Sequence, residues 1–182
     1  MRLNSRTFDL ASQKDALGAL ADLVARSIVE DPNIRVAALK ITRECGSRND
    51  QCEAEAVYNA VRYGTPEVKG LETGLRYVAD PRLSDYFVRP GRLLEMCEFQ
   101  ACGEDCDGHA GLLAALLGSL GFVVGLRAYA KPNNPDEFVH VYAVVGLPKR
   151  EPTAYYGLDT TVAEASFGWE PPRGRVLTAY IR

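Results

Sequence analysis

A chain of 182 residues with 47% hydrophobic residues is about the size of one large domain and can build a conventional buried core. Its formal net charge of −3, its pI near 5.5 and the lack of any Lys/Arg run provide no basic surface for nucleic-acid phosphates. The first residues lack the apolar segment of a signal peptide, and no segment approaches the roughly 20 apolar residues of a membrane span. We therefore expect a single-domain, soluble, cytoplasmic protein without a nucleic-acid or membrane partner.

The first third of the sequence has a helical pattern. Apolar residues recur at three- and four-residue steps from about Ser12 until Pro32, and Pro32 then opens a second helix that stops at Gly46. A third helix, "DQCEAEAVYNAVRY", is ended by "GTPEVKG". Residues 1–68 are thus expected to form an N-terminal helical subregion.

The stretch from Leu71 to Gln100 is less regular. Its prolines, turn residues and scattered aromatic residues favour loop with short ordered pieces. Long irregular segments inside compact domains often shape a functional site.

The remaining sequence predicts one helix followed by strands. A helix from about Cys106 to Leu120 ends at Gly121, and three β-rich runs follow: "FVVGLRAYA", "EFVHVYAVVG" and "TAYYGLDTT". This order favours an α+β fold in which the helix packs on one face of an antiparallel sheet. Trp169 and the prolines beside it are expected to pack the tail onto the domain.

The five cysteines are an odd number, so we do not expect a disulfide framework and we expect at least one free thiol. Cys45 and Cys52 flank the turn "GSRND" and can pair on oxidation. Packing in the interior is the simpler interpretation of both residues.

Cys106 has the position of a nucleophile. On a helical wheel it shares a face with Ala110, Leu113 and Leu117, so its side chain should point toward the core from the first turn. There the unsatisfied N–H groups and the positive end of the helix dipole favour a thiolate. The same N–H groups can bind an oxyanion formed when the sulfur attacks a carbonyl.

His140 and Asp159 are the candidate partners of this thiol. Strand alternation places His140 on one face of "EFVHVYAVV", and we expect that face to meet Cys106. Asp159 is the carboxylate of the next β-rich run and can hold the imidazole in one tautomer. The three residues, in this order, make a complete Cys-His-Asp triad.

The segments "GEDCDGHAGLLAALLGSLGFVV", "FVHVYAVV" and "GLDTTV" resemble the transglutaminase-like superfamily, whose core is similar to papain-type cysteine proteases. The likeness is to short bacterial and phage-associated members and spans roughly residues 70 to 172. It implies a catalytic core over residues 69–182, with Cys106 as nucleophile, His140 as general base and acid, and Asp159 as the orienting carboxylate. Gly108 stands where many relatives carry a second acid.

The resemblance implies a cysteine-dependent acyl-transfer enzyme that cleaves or transfers peptide or isopeptide amide bonds and needs no cofactor. Gln100, six residues before Cys106, has the spacing of the papain-type oxyanion glutamine. Tyr86 is a second, weaker candidate for that oxyanion role.

Three other interpretations remain open at the level of sequence. Thiolates and imidazole are preferred zinc ligands, so a structural zinc site is an alternative, with these candidate ligands: Cys97, Cys102, Cys106 and His109. His109 is also a rival base, although a helix residue that packs beside the site is the simpler interpretation. Finally, the chain can be a catalytically silent papain-like module that binds a protein partner, for instance in a phage-derived particle.

Overall fold

The computed structural model describes residues 13–79, 87–100 and 103–181. In these ranges the chain forms five α-helices: α1 (Gln13–Glu30), α2 (Pro32–Ile41), α3 (Asp50–Tyr63), α4 (Pro90–Cys97) and α5 (Cys106–Ser119). The same ranges contain six strands: β1 (Arg76–Tyr77), β2 (Gly103–Glu104), β3 (Val124–Ala130), β4 (Phe138–Leu147), β5 (Ala154–Leu158) and β6 (Arg175–Tyr180). Helices come first and most strands later, which is the α+β arrangement that the sequence predicts.

Local signals set the ends of the expected helices. Pro32 occupies the first turn of α2, where its missing N–H costs nothing. The Asn49 side chain accepts a hydrogen bond from the Cys52 N–H (3.1 Å) and caps α3. Gly64 ends α3 with a φ of 102°, a conformation that glycine adopts without a steric penalty. The three predicted N-terminal helices are therefore present.

Four strands form an antiparallel sheet in the order β5-β4-β3-β6. β3 and β4 pair along their length, with a register shift between Tyr129 and Ala130. β5 pairs only with the second half of β4, from Ala143 to Leu147. On this side of β4, none of the described strands pairs with the first half, which begins at Phe138. β6 adds a strand to the three that the sequence predicts.

Helix α5 occupies the centre of the fold. All its residues from Asp107 to Leu117 are buried. One side packs against the sheet near Leu126 and Ala143, while α1, α2, α3 and α4 contact its other sides. The helix therefore has packing neighbours all around it, including on the side that Cys106 shares with Ala110, Leu113 and Leu117.

The segment predicted to be irregular contains the helix α4. Pro90 lies in its first turn, and its buried side chains Leu93, Leu94 and Cys97 recur at helical spacing. Its start is fixed to the end of α1, since Arg89 forms two hydrogen bonds with the Asp31 carboxylate (2.6 and 2.7 Å). The sequence did not predict this helix, because it is short and turn residues flank it.

The cysteine prediction requires a correction. Cys45 and Cys52 form a disulfide across the turn between α2 and α3, with their Cα atoms 5.7 Å apart. Cys97 is also disulfide-bonded. Among the described cysteines Cys106 alone has a free thiol. Spacing along the chain did not reveal that the end of α2 and the start of α3 meet at the distance a disulfide requires.

None of the described helices is both long enough and apolar enough to cross a lipid bilayer.

Candidate active site

Cys106 is the first residue of α5. The preceding residue, Asp105, caps the helix: its carboxylate accepts the Asp107 N–H (3.1 Å) and its carbonyl accepts the His109 N–H (3.2 Å). The Cys106 N–H lies before the first turn closes and has no acceptor within the helix. The thiol is partly exposed, so a small molecule can reach it.

A short parallel ladder between β1 and β2 fixes the approach to α5. Tyr77 pairs with Glu104, and the Val78 N–H donates to the Glu104 carbonyl (3.0 Å). Glu104 then packs against Gly108 so closely that a Cβ at position 108 would lie 2.4 Å from the Glu104 Cβ. The Glu104 side chain therefore fills the space that a side chain at position 108 would occupy.

His140 reaches this helix start from β4. Its ring stacks beside that of Tyr142 (centroids 6.2 Å apart), and its Nε2 lies 2.6 Å from Asp159 Oδ2. The Cys106 side chain lies close enough to the same ring to contribute to the raised pKa of His140. Because Nε2 is engaged by Asp159, the nitrogen available to the thiol is Nδ1. The structure thus brings together the three residues that the sequence singles out.

His140 lies on the face of β4 opposite to the residues that join the core around α5. Val141, Ala143 and Val145 belong to that core, whereas His140 alternates with them, together with Tyr142. The His140 side chain comes within reach of Cys106 near the Phe138 end of β4, which β5 does not flank.

Asp159 directly follows β5, and its side chain is 1% exposed. Its Oδ1 accepts hydrogen bonds from the Thr161 N–H (2.9 Å), the Thr161 hydroxyl (2.9 Å) and the Val162 N–H (3.1 Å). These bonds leave Oδ2 for His140. The loop thereby orients the carboxylate on which the imidazole depends.

The electrostatics of the pair favour a charged imidazole. Burial lowers the pKa of His140, but the hydrogen bonds and charges of Asp159 and Cys106 outweigh it and raise the pKa to about 9. Burial raises the pKa of Asp159, yet the bonds from His140 and Thr161 hold this pKa below its ordinary value. At neutral pH the site therefore holds an imidazolium beside a carboxylate, with the thiol on the other side of the ring.

A cleft of about 260 Å³ opens beside Cys106 and His140. Its walls are mainly apolar and come from α1, from the segment before α4 and from the sheet: Ala16, Leu17, Leu20, Phe87, Ala128, Phe138, Val139 and Val141. The Gln13 carboxamide closes one end, where it accepts the Phe138 N–H and donates to the Phe138 carbonyl (both 3.0 Å). Sequence reasoning missed Gln13 and Phe87 because nothing in their local pattern distinguishes them from other helix and loop residues.

The oxyanion candidate Gln100 does not line this cleft. It is exposed and lines a different cavity, together with Glu72, Arg76 and Cys97. The second candidate, Tyr86, lies outside the described residues. The start of α5 itself provides a backbone N–H without a partner inside the helix, that of Cys106.

The other candidates occupy separate positions. His109 is 2% exposed, and its Nδ1 lies 2.8 Å from the Thr160 hydroxyl, so it packs behind the triad. Burial lowers the pKa of His109. Cys97 cannot act as a zinc thiolate while it is disulfide-bonded, which removes one ligand of the zinc hypothesis.

One group of carboxylates in the described residues has the spacing of metal ligands. Oxygen atoms of Glu104, Asp105 and Asp107 lie within 4.8 Å of one another. Such a set suits a hard cation such as Ca²⁺ or Mg²⁺. Asp105 already uses one of its oxygens to cap α5.

No protein-family model, curated protein or solved structure matches this chain.

Proposed function

We propose that the protein is a cysteine-dependent acyl-transfer enzyme that acts on peptide or isopeptide amide bonds. The observation that carries this proposal is the arrangement around the imidazole, with Asp159 Oδ2 at 2.6 Å from Nε2 and the Cys106 side chain close enough to the ring to raise its pKa. A nucleophile, a base and an orienting acid in contact are what covalent amide chemistry requires.

The first half of the reaction forms a thioester. The Cys106 sulfur attacks the amide carbonyl as a thiolate, its proton being the one that the His140 imidazolium holds, and the carbonyl oxygen gains negative charge within reach of the Cys106 N–H. When the C–N bond breaks, the His140 imidazolium gives its proton to the departing nitrogen, which leaves as a neutral amine. Asp159 holds the ring and stabilises its charged form.

The second half releases the acyl group. His140, now neutral, takes a proton from water or from an acceptor amine, whose oxygen or nitrogen attacks the thioester carbonyl. The C–S bond breaks, and the imidazolium returns its proton to the sulfur or retains it beside the thiolate. With water the products are a carboxylic acid and free enzyme, and with an amine the product is a new amide.

The cleft supports an extended, partly apolar peptide as the substrate. Its aliphatic and aromatic walls match an apolar side chain next to the scissile bond. The Gln13 side chain bonds to both the N–H and the carbonyl of Phe138. Two opposite residues of an antiparallel strand pair exchange the same two kinds of hydrogen bond. A peptide backbone can make the same pair along this edge of β4, in place of the glutamine side chain.

We further propose that the core is papain-like and transglutaminase-like. Support comes from the motifs of the sequence and from the order of elements: a cysteine at the start of a buried helix, a histidine on the second main strand and an aspartate after the third. The acidic pair around Cys106 and the segment "GLDTT" are the most specific parts of this likeness.

Alkylation with iodoacetamide tests the proposal directly. Cys106 should react in the folded protein at about pH 7 faster than a free cysteine in an unfolded peptide, and mass spectrometry should map the label to this residue. His140→Ala should slow the reaction roughly 10- to 100-fold, because the thiolate loses its partner. Cys106→Ala should abolish specific labelling.

The contrary result favours the silent binding module. If Cys106 reacts no faster than the peptide reference, and His140→Ala leaves the rate unchanged, the triad contacts have no chemical role. If Cys106 does react faster and depends on His140, a peptide-library digest with and without an added primary amine separates hydrolysis from transamidation.

A further inference from the structure

The loop that carries Asp159 is held by α3, a helix of the N-terminal region. Arg62 Nη1 donates to the carbonyl oxygens of Asp159 (3.2 Å) and Val162 (3.0 Å), and its Nη2 donates to that of Ala163 (2.8 Å). A guanidinium is a planar, rigid array of donors, so it can fix several backbone carbonyls at once.

Tyr58 binds the same loop one helical turn earlier. Its hydroxyl lies 3.1 Å from the Asp159 carbonyl and 3.3 Å from that of Ala165, and the residue is 2% exposed. Its ring meets Phe167 edge-on, with centroids 6.0 Å apart. Residues four apart share one face of a helix, so Tyr58 and Arg62 act on the loop from a single rigid surface.

The bonds from α3 and the bonds inside the loop have different targets. Within the loop, Thr161 and Val162 orient the carboxylate and leave Oδ2 for His140. From α3, Tyr58 and Arg62 hold the backbone to which that carboxylate is attached. The distance between Oδ2 and the imidazole therefore depends on where α3 places the loop.

We propose that Arg62 and Tyr58 are positioning residues of the triad, which set the contact between Asp159 and His140 by clamping the backbone of residues 159–165. The role rests on the proposed function, since it acts through the triad. It makes the N-terminal helical region part of the active site, although all three triad residues come later in the chain.

The test compares Arg62→Met with Arg62→Lys. Methionine keeps the apolar stem but removes the guanidinium bonds to three carbonyls, of which that of Asp159 keeps the Tyr58 hydroxyl. Lysine keeps a charge and part of the hydrogen bonding. We expect Arg62→Met to lower the pH midpoint of the His140 ring, followed by NMR, and to slow alkylation of Cys106 roughly 10- to 100-fold. Arg62→Lys should recover part of both effects.

Arg35 provides the matched control. Its guanidinium also donates to a backbone carbonyl, that of Ser119, but at the opposite end of α5 from Cys106. Arg35→Met should lower the free energy of unfolding without moving the His140 midpoint or the alkylation rate. Tyr58→Phe, which removes a single hydroxyl, carries the test if Arg62→Met does not fold.

Two results would overturn the positioning role of Arg62 and Tyr58. One is a folded Arg62→Met or Tyr58→Phe protein with an unchanged His140 midpoint, and the other is an Arg35→Met protein that shifts as far as Arg62→Met. A different result would show that the proposed function itself is wrong: the wild-type Cys106 thiol would react without any dependence on His140. In that case the NMR midpoints still report whether α3 sets the contact between Asp159 and His140.

Discussion

At the scale of single residues, the two histidines of the chain lie in opposite environments. His109 is buried beside a hydroxyl, and burial lowers its pKa. His140 is also largely buried, but Asp159 and Cys106 raise its pKa to about 9. One imidazole is thus kept neutral and the other charged at neutral pH, although both are held close to α5.

An NMR titration of the two ring C2 protons checks this assignment. Wild-type protein should show one midpoint near 9 and another below the ordinary value of about 6.5. Asp159→Asn should lower the His140 midpoint sharply, because burial lowers the pKa of the imidazole and the Asp159 charge that opposes this effect is removed. Enzyme activity should fall as pH rises through the His140 midpoint, because the proton for the leaving amine is lost. A midpoint that stays near 9 in Asp159→Asn would contradict the role of this carboxylate.

The triad could be predicted from the sequence because each member carries its own local signal. Cys106 opens a strongly apolar helix, His140 interrupts an apolar strand, and Asp159 ends the next one. Tyr58 and Arg62 have no such signal. They look like ordinary positions of an amphipathic helix, and their partners lie about a hundred residues later in the chain.

At the scale of elements, the start of α5 depends on close packing between β2 and the first helical turn. Gly108 allows Glu104 to lie against the helix, since any side chain there would overlap the Glu104 Cβ. Gly111, one turn later, has ordinary spacing, because a Cβ there would meet its nearest neighbour, Val24, at 3.6 Å. Close packing therefore requires glycine at position 108 of α5 but not at position 111.

Alanine substitutions separate these reasons. Gly108→Ala should lower the free energy of unfolding by roughly 1–3 kcal/mol through overpacking and should slow Cys106 alkylation by displacing the helix start. Gly111→Ala should be neutral or stabilising by up to about 1 kcal/mol, since alanine favours the helix. Urea unfolding and alkylation rates measure both effects. Equal stability and reactivity of the two variants would contradict the packing argument.

Elements with a long, clear period were predictable, and short or edge elements were not. α1, α3 and α5 each repeat apolar residues over several turns, whereas α4 spans only Pro90–Cys97 between turn-rich segments. β6 follows a tail rich in proline and glycine, and it becomes a strand by pairing with β3. Tertiary pairing, which a single sequence does not display, decides such cases.

At the scale of the whole molecule, the N-terminal helices and the later sheet share one hydrophobic core around α5. The disulfide between Cys45 and Cys52 closes the turn between two of these helices. Stable disulfides are rare in reducing compartments, so this bond counts against the cytoplasmic location expected from the sequence.

Removing this disulfide should cost stability without disabling the site. The double variant Cys45→Ser/Cys52→Ser should lose about 2 kcal/mol of unfolding free energy, as expected for a short closed loop. Cys106 alkylation should stay close to wild type, because Cys52 and Arg62 lie at opposite ends of α3. Unfolding in urea and labelling at about pH 7 measure the two quantities. A large loss of labelling would show that the bond also holds the active site in place.

The burial of α5 on every side has an evolutionary consequence. Substitutions along this helix disturb the core, so the position of Cys106 is fixed by the stability of the whole domain. Most of the cleft walls come instead from other elements, such as the first turns of α1 and Phe87 before α4. Descendants of this chain can therefore change what enters the cleft by altering those walls, while the position of the sulfur stays the same.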